Sequence, residues 1–246
     1  MRIALYGHQA FGVRVARVLL AERHLDRLGI VGEEVRHPRV ERFESVADYD
    51  AIIIDRLDLH GTELFNEAFH NRTDVVLVEE APPVERAMSA VVSDAASPRG
   101  LAHALALSTR GSIDEAVEVT IAWTTSGKVR RRGDAVTFPD PVGPRWAEPV
   151  EVIESGVHRA LAAPGPGSWA AALSRVTIMT LSGLRTTTTA VADDAEFLSA
   201  SLVAGAAIAA CEGAYGSGPC SPADPGGSFL RAVRRAGVES ASFSRI

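Results

Sequence analysis

Lysine is almost missing from this chain: Lys128 is the only one among 25 basic residues. Arginine carries the rest, and alanine and glycine are abundant. That skew points to a GC-rich coding sequence rather than to chemistry. Cysteine is scarce too. Cys211 and Cys220 are too few and too late in the chain for a disulfide framework or a metal site. The simplest reading is two unpaired cytosolic thiols. Positive charge is not in excess. The net charge is −6 and the pI about 5.7, without the basic bias of a nucleic-acid binder. Long apolar runs are missing as well. The best stretch, Phe197 to Cys211, is about 15 residues rich in Ala and Ser, and a membrane span needs about 20. The first residues pass straight into Arg2–Tyr6 with no secretory apolar region. A cytoplasmic protein is expected, with no membrane and no nucleic acid among its partners. No H-E-x-x-H, G-x-S-x-G or P-loop occurs, so hydrolase and kinase chemistry lack support.

What is present is ordinary globular composition, 46% hydrophobic and 23% charged. Short apolar runs recur through the first hundred residues: Arg2 to Tyr6, Leu28 to Val31, Ala51 to Ile54 and Val75 to Val78. Runs apolar throughout suit strands covered on both faces. Between them lie helical spacings, from Gly12 to near His24 and from Glu63 to His70. That alternation predicts a wound parallel sheet.

The texture changes after about residue 95. Ser97-Pro98 opens a helix to Leu107. Glu115 to Thr125 alternates and is rich in β-branched residues, as a strand with one buried face should be. Phe138 to Pro149, with four prolines, and Pro164 to Ser168 read as loops. Ser168 is expected to cap a helix through Trp169 to Leu173, followed by strands at Val176–Leu181 and Thr186–Val191 around Gly183. Phe197 to Glu212 reads as a long helix, Gly213 to Gly227 as a Gly/Pro loop and Ser228 to Ala236 as a last helix. The predicted class is α/β. Residues 1–97 are expected to form the wound parallel-sheet domain. Residues 98–246 are expected to form an α+β domain on a mostly antiparallel sheet, with its C-terminal helices packing back on the first domain.

One motif carries chemistry. Gly7-His8-Gln9-Ala10-Phe11-Gly12 follows the first run, where a G-x-G-x-x-G fingerprint would stand, with Gln9 at the middle glycine position. The first glycine allows the tight turn, and the third allows close helix–strand packing. The middle one admits the pyrophosphate to the backbone. Without it the helix N-terminus still faces a phosphate. The acid expected about 20 residues on is met by Glu33, after the second run. Asp55, Arg56 and Glu79 end the third and fourth runs, where ligands bind in wound sheets.

Two families are suggested by further residues. The stretch from Asp50 through Ile54, Asp55 and His60 to Asp74-Val-Val-Leu-Val-Glu79-Glu80-Ala81-Pro82 resembles the Gfo/Idh/MocA oxidoreductases. In that family a Glu-Lys-Pro motif closes the strand. Glu79 matches its Glu, but Glu80 replaces the lysine and inverts the charge. That family's catalytic role is therefore not carried over, and no catalytic residue is assigned. The second half is similar to the saccharopine dehydrogenase group in Ser97-Pro-Arg-Gly-Leu101, in Phe138 to Trp146, in the sheet from Arg175 and in the Phe229-Leu230 ending. Both resemblances imply a Rossmann domain, then a sheet domain that binds a small-molecule substrate and often makes a homodimer.

The remaining candidates have simpler readings. His60 suits a surface loop and His103 a helix surface. Lys128 suits an exposed turn and Arg130–Arg132 a solvated strand end, while Asp193-Asp194 suits a negative helix cap. Two function classes stay open. One is an NAD(P)-dependent oxidoreductase acting on a small polar metabolite such as an amino acid or imine. The other is a catalytically degenerate Rossmann protein that binds a ligand or a protein partner. NAD is expected over NADP, because Glu33 and Glu34 would repel a 2′-phosphate. Arg36 and Arg39 are the competing phosphate clamp. No metal site is expected.

Overall fold

The computed structural model describes residues 1–7, 9–31, 35–84, 87–109, 116–125, 135–137, 144–146, 148–151, 157–164 and 169–245. In chain order the elements are β1 (Arg2–Tyr6), α1 (Gln9–Ala21), β2 (Arg27–Val31), β3 (Val40–Arg42), β4 (Ala51–Ile54), α2 (Leu59–Asn71), β5 (Asp74–Leu77) and β6 (Ala90–Val92). Then follow α3 (Pro98–Thr109), β7 (Ala116–Thr125), β8 (Ala135–Thr137), β9 (Pro144–Trp146), β10 (Glu148–Glu151), β11 (Val157–Pro164), β12 (Trp169–Thr180) and β13 (Gly183–Asp194). The chain closes with α4 (Ala195–Cys211), β14 (Gly218–Cys220), α5 (Gly227–Arg235) and β15 (Ala241–Arg245). It divides into two compact units. One is Met1–Ala96 with Ser199–Gly237, and the other is Ser97–Leu198 with Val238–Ile246.

The first unit is a seven-stranded sheet in the order β14-β6-β5-β4-β1-β2-β3. Every pairing in it is parallel. Read from the other edge this is the strand order 3-2-1-4-5-6 of a Rossmann fold, with one more strand beside β6. The inner strands are buried on both faces: Ala51 to Ile54 are all 0% exposed. This is why they read as unbroken aliphatic runs. One face packs Ala4, Tyr6, Ile52 and Ile54 with Leu64, Phe65 and Ala68 of α2. Asp58 caps α2 by accepting the Gly61 N–H at 2.9 Å.

At the other end of α1 the buried carboxylate of Glu22 accepts the His24 N–H at 3.0 Å and lies 3.4 Å from the Arg235 guanidinium. Arg235 also reaches Glu212 at 2.5 Å. These contacts tie the ends of α4 and α5 to the end of α1 within the same unit.

The second unit is a six-stranded sheet in the order β10-β11-β7-β12-β13-β15. It is antiparallel except at β11–β7. α3 packs on β7, β12 and β13, and Thr109 meets Thr189 at 3.3 Å. Ser97 caps α3 through the Arg99 N–H, as the Ser-Pro opening suggested.

Four sequence readings are corrected. α1 starts at Gln9, so Gly12 lies inside its first turns rather than at its start. Residues 138–149 are not all loop, since Pro144–Trp146 pairs with β8 and Glu148–Glu151 with β11. Pro144 heads its strand, where a missing N–H is tolerated. Trp169 to Leu173 is strand, not helix. It is in register with Asp194 to Ala190, and that ladder outweighs the strong intrinsic helical preference of Ala-Ala-Ala. The Gly/Pro stretch 213–227 contains β14, which a three-residue Gly-Pro-Cys segment does not advertise. The loop predicted from Pro164 keeps only Pro164 in view, at the end of β11; residues 165–168 lie outside the described ones.

One contact in the first unit is unusually close. Tyr49 lies across Gly29 of β2, so any side chain there would collide with its ring. The ring cannot easily retreat. It stacks on Phe43 at 5.7 Å, lies under the Arg2 guanidinium at 5.6 Å and bonds Glu41 at 3.2 Å. Gly29→Ala should therefore destabilise the protein by about 1–3 kcal/mol through overpacking. The readout is a lower urea midpoint at unchanged slope. An unchanged midpoint would refute the packing described.

Candidate functional site

In a doubly wound sheet the crevice lies where the chain reverses its direction of winding, beyond the carboxyl ends of the strands. Here that point falls between β1 and β4. Tyr6 pairs with Ile54 as the last residues of the two strands. Gly7 follows one and Asp55 the other, and the Asp55 N–H donates to the Tyr6 carbonyl at 2.9 Å.

Gly7 and Gly12 touch backbone to backbone across this turn. A Cβ on Gly7 would stand 2.8 Å from the Gly12 Cα. One on Gly12 would stand 2.8 Å from the Gly7 carbonyl carbon and 3.0 Å from its oxygen. Both contacts are with main chain, so no side-chain rotation relieves them. The first turn of α1 therefore lies directly on the end of β1. The exposed Ala10 and half-buried Phe11 sit in that turn, which carries no acidic residue. Helix geometry leaves the first N–H groups of that turn without an intrahelical partner, and the positive end of the helix dipole lies there.

The opposite wall is the connection from β4 to α2. Arg56 is exposed, and its carbonyl packs so closely on Gly61 that a Cβ there would collide with it. Asp58 caps the helix and also receives the Tyr6 hydroxyl, at 2.9 and 3.0 Å to its two oxygens. Burial first, and then this bond, push the Tyr6 phenol above its ordinary range, so it stays a donor. His60 presents its ring edge-on to Tyr6, 5.2 Å between centroids, and bonds Glu63 at 3.3 Å. Glu79 is exposed after β5, one strand further from the crevice, and its carbonyl receives the Asp94 N–H at 2.9 Å.

The fingerprint residues Gly7, Ala10, Phe11 and Gly12 thus share one turn, and Asp55 and Arg56 follow the neighbouring strand. His8 and Glu33 lie outside the described residues, as do Glu34, Lys128 and Arg130–Arg132, and only the backbone of Gln9 is placed. The phosphate-clamp reading of Arg39 is overturned. Its guanidinium donates to the carbonyls of Leu20, Glu22 (2.8 Å) and Leu25 (3.1 Å) at the C-terminal end of α1. Those carbonyls lie at the opposite end of the helix from the turn, and a cation is well placed on them. Asp194 caps α4 through the Glu196 and Phe197 N–H groups at 3.1 and 3.0 Å, as expected of that acidic pair. Sequence reasoning missed Tyr6, Asp58 and Gly61. The available signal was an Asp three residues before a Gly at a helix start.

Among the described residues no group of His, Cys, Asp and Glu is arranged to hold a metal ion, and no helix is long and apolar enough to cross a membrane.

No protein-family model matches the chain, and no curated protein matches it in sequence. Solved structures match it in fold. The apo saccharopine dehydrogenase (L-Glu forming) of Saccharomyces cerevisiae superposes with a TM-score of 0.62 at 9% identity, covering 100% of both chains. The homospermidine synthase of Legionella pneumophila, solved in complex with NAD, gives a TM-score of 0.54 at 6% identity. It covers 99% of this chain and 91% of that one. At such identities the likeness is one of fold, and it agrees with the Rossmann-type α/β architecture and the saccharopine dehydrogenase resemblance.

The close approach at the turn has a direct consequence. Gly12→Ala should cost about 1–3 kcal/mol, because main chain must shift to admit the methyl group. Gly12→Val should leave no folded protein or a far weaker one. A Gly12→Val variant with the parent's circular dichroism and melting temperature would contradict the contact.

Proposed function

We propose that this chain is an NAD(P)-dependent oxidoreductase acting on a small polar metabolite such as an amino acid or imine. The observation that carries the reading is the side-chain-free contact of Gly7 and Gly12 at the point where the sheet reverses its winding. Main-chain contact keeps both positions free of side chains, and the same close approach would bring a pyrophosphate near the backbone. The reading is supported in kind by the fold shared with a dehydrogenase and with an NAD-bound synthase.

Gly7 to Gly12 would hold the pyrophosphate on main-chain N–H groups, with Glu33 on the adenosine ribose. Asp55, Arg56 and Glu79 would face the ligand at the strand ends. The cofactor, when bound, supplies the hydride chemistry. The chain's own part is to bind it at a helix N-terminus and to present it at the strand ends. Gln9 bears on a second reading, a catalytically degenerate protein that binds a ligand or partner. It stands where a glycine would admit the pyrophosphate, and Glu80 stands where a related family has its lysine.

NAD is proposed over NADP. Glu33 would accept the ribose hydroxyls, and Glu34 adds charge against a 2′-phosphate. With Arg39 engaged at the far end of α1, Arg36 remains the competing cation. Fluorescence titration should give micromolar NADH binding, about tenfold tighter than NADPH, which is about 1.4 kcal/mol. Tighter NADPH binding that Arg36→Ala removes would reverse the assignment. No binding of either cofactor, appearing only in Gln9→Gly, would favour the degenerate reading.

A cytoplasmic homodimer through the open face of the six-stranded sheet completes the proposal. Ser174, Val176 and Thr189 lie on the α3 side, so Arg175, Thr177 and Met179 alternate to the other. On that other face Met179, Leu184 and Phe243 are 61%, 52% and 63% exposed, and Met179 pairs directly with Leu184. Light scattering should report a dimer that Phe243→Asp weakens. A monomer near 26.0 kDa at micromolar concentration would count against it.

A further inference from the structure

Two tyrosines of the first unit belong to the same buried cluster, and each donates to a carboxylate. Tyr49 bonds Glu41 at 3.2 Å, one residue before the Asp50-Ala51 entry into β4. It therefore lies at the amino end of the strands, and burial, reinforced by Glu41, pushes its phenol up to about 12. Tyr6 is the last residue of β1, so it lies at the carboxyl end. Its main chain leads into the Gly7–Gly12 turn, while its side chain crosses to Asp58 on the connection from β4 to α2. One residue therefore joins the two walls of the crevice.

The join is made from several directions. The Tyr6 carbonyl receives the Asp55 N–H, and its hydroxyl donates to both Asp58 oxygens. Its ring lies where a Cβ on Gly61 would be 3.1 Å away. Asp58 is itself held by the Gly61 N–H. Moving the hydroxyl would release one tie on the segment 55–58, which is also held by the Asp55 N–H on the Tyr6 carbonyl, the Thr62 hydroxyl on the Leu57 carbonyl and the helix cap.

We propose that Tyr6 is a positioning residue for the dinucleotide: its hydroxyl bond to Asp58 holds segment 55–58 at a fixed distance from the Gly7–Gly12 turn. The inference rests on the reading of that turn as a dinucleotide site. Tyr6 does not touch the ligand, being 8% exposed and turned into the core. It acts by keeping the wall in the bound shape, so that ordering the segment is not charged against binding.

Tyr6→Phe keeps the ring and the core and removes only the hydroxyl. Tyr49→Phe removes the equivalent bond from the same cluster at the other end of the strands. Both variants should melt somewhat lower than the parent. NADH titration should separate them. Tyr6→Phe should bind about fivefold more weakly, the scale of one hydrogen bond's net worth, while Tyr49→Phe stays within about twofold of the parent. Equal NADH affinity in Tyr6→Phe and Tyr49→Phe would overturn the proposal while leaving the dinucleotide site intact. A parent that binds neither NADH nor NADPH would remove the site and the proposal together.

Discussion

Where β1 turns into α1, two stretches of main chain meet with no side chain between them. Gly7 and Gly12 are five residues apart in sequence, yet a methyl group on either would reach the other's backbone at 2.8 Å. The rest of the first unit depends on this approach. It sets how closely α1 lies on β1 and β2, and so how Val15, Ala16 and Leu19 come to be buried. Close packing of α1 on β1 therefore requires glycine at both positions, and the dinucleotide proposed for this turn would use the same approach.

A parallel sheet must cover both faces and protect two edges. β3 closes one edge after an eight-residue connection from β2, shorter than parallel crossovers usually need. Arg39, at the end of that connection, bonds three carbonyls of α1 and the segment after it and fixes where the chain re-enters the sheet. The other edge is extended by β14, which arrives from far along the chain to pair with β6. With it come α4 and α5, held to the end of α1 by the buried Glu22 and Arg235. Removing Arg235, itself partly exposed, would leave the buried Glu22 carboxylate without its cation, so this contact binds the late segment to the early one.

Legibility followed from how local each cause was. β1 and β4 were readable to the residue, because burial on both faces makes their runs continuously aliphatic. The glycine pair was readable from spacing alone. Trp169 to Leu173 was not, since its strand is decided by a partner around twenty residues away rather than by alanine's own preference. β14 is too short to carry a pattern. Arg39 was misread because sequence distance from Glu33 says nothing about which end of the sheet a loop residue reaches. Tyr6 and Asp58 were invisible as a pair for a similar reason: they are 52 positions apart and meet only through the parallel register of β1 and β4.

The central claim is that a dinucleotide binds on the Gly7–Gly12 turn against the connection from β4. Hydrogen exchange followed by mass spectrometry, with and without saturating NADH, tests it most directly. The account predicts slowed exchange in peptides covering Gly7 to Val13 and Asp55 to Gly61, with Tyr49 and the start of β4 unchanged. Protection confined to other peptides, or none at all at saturating NADH, would contradict it.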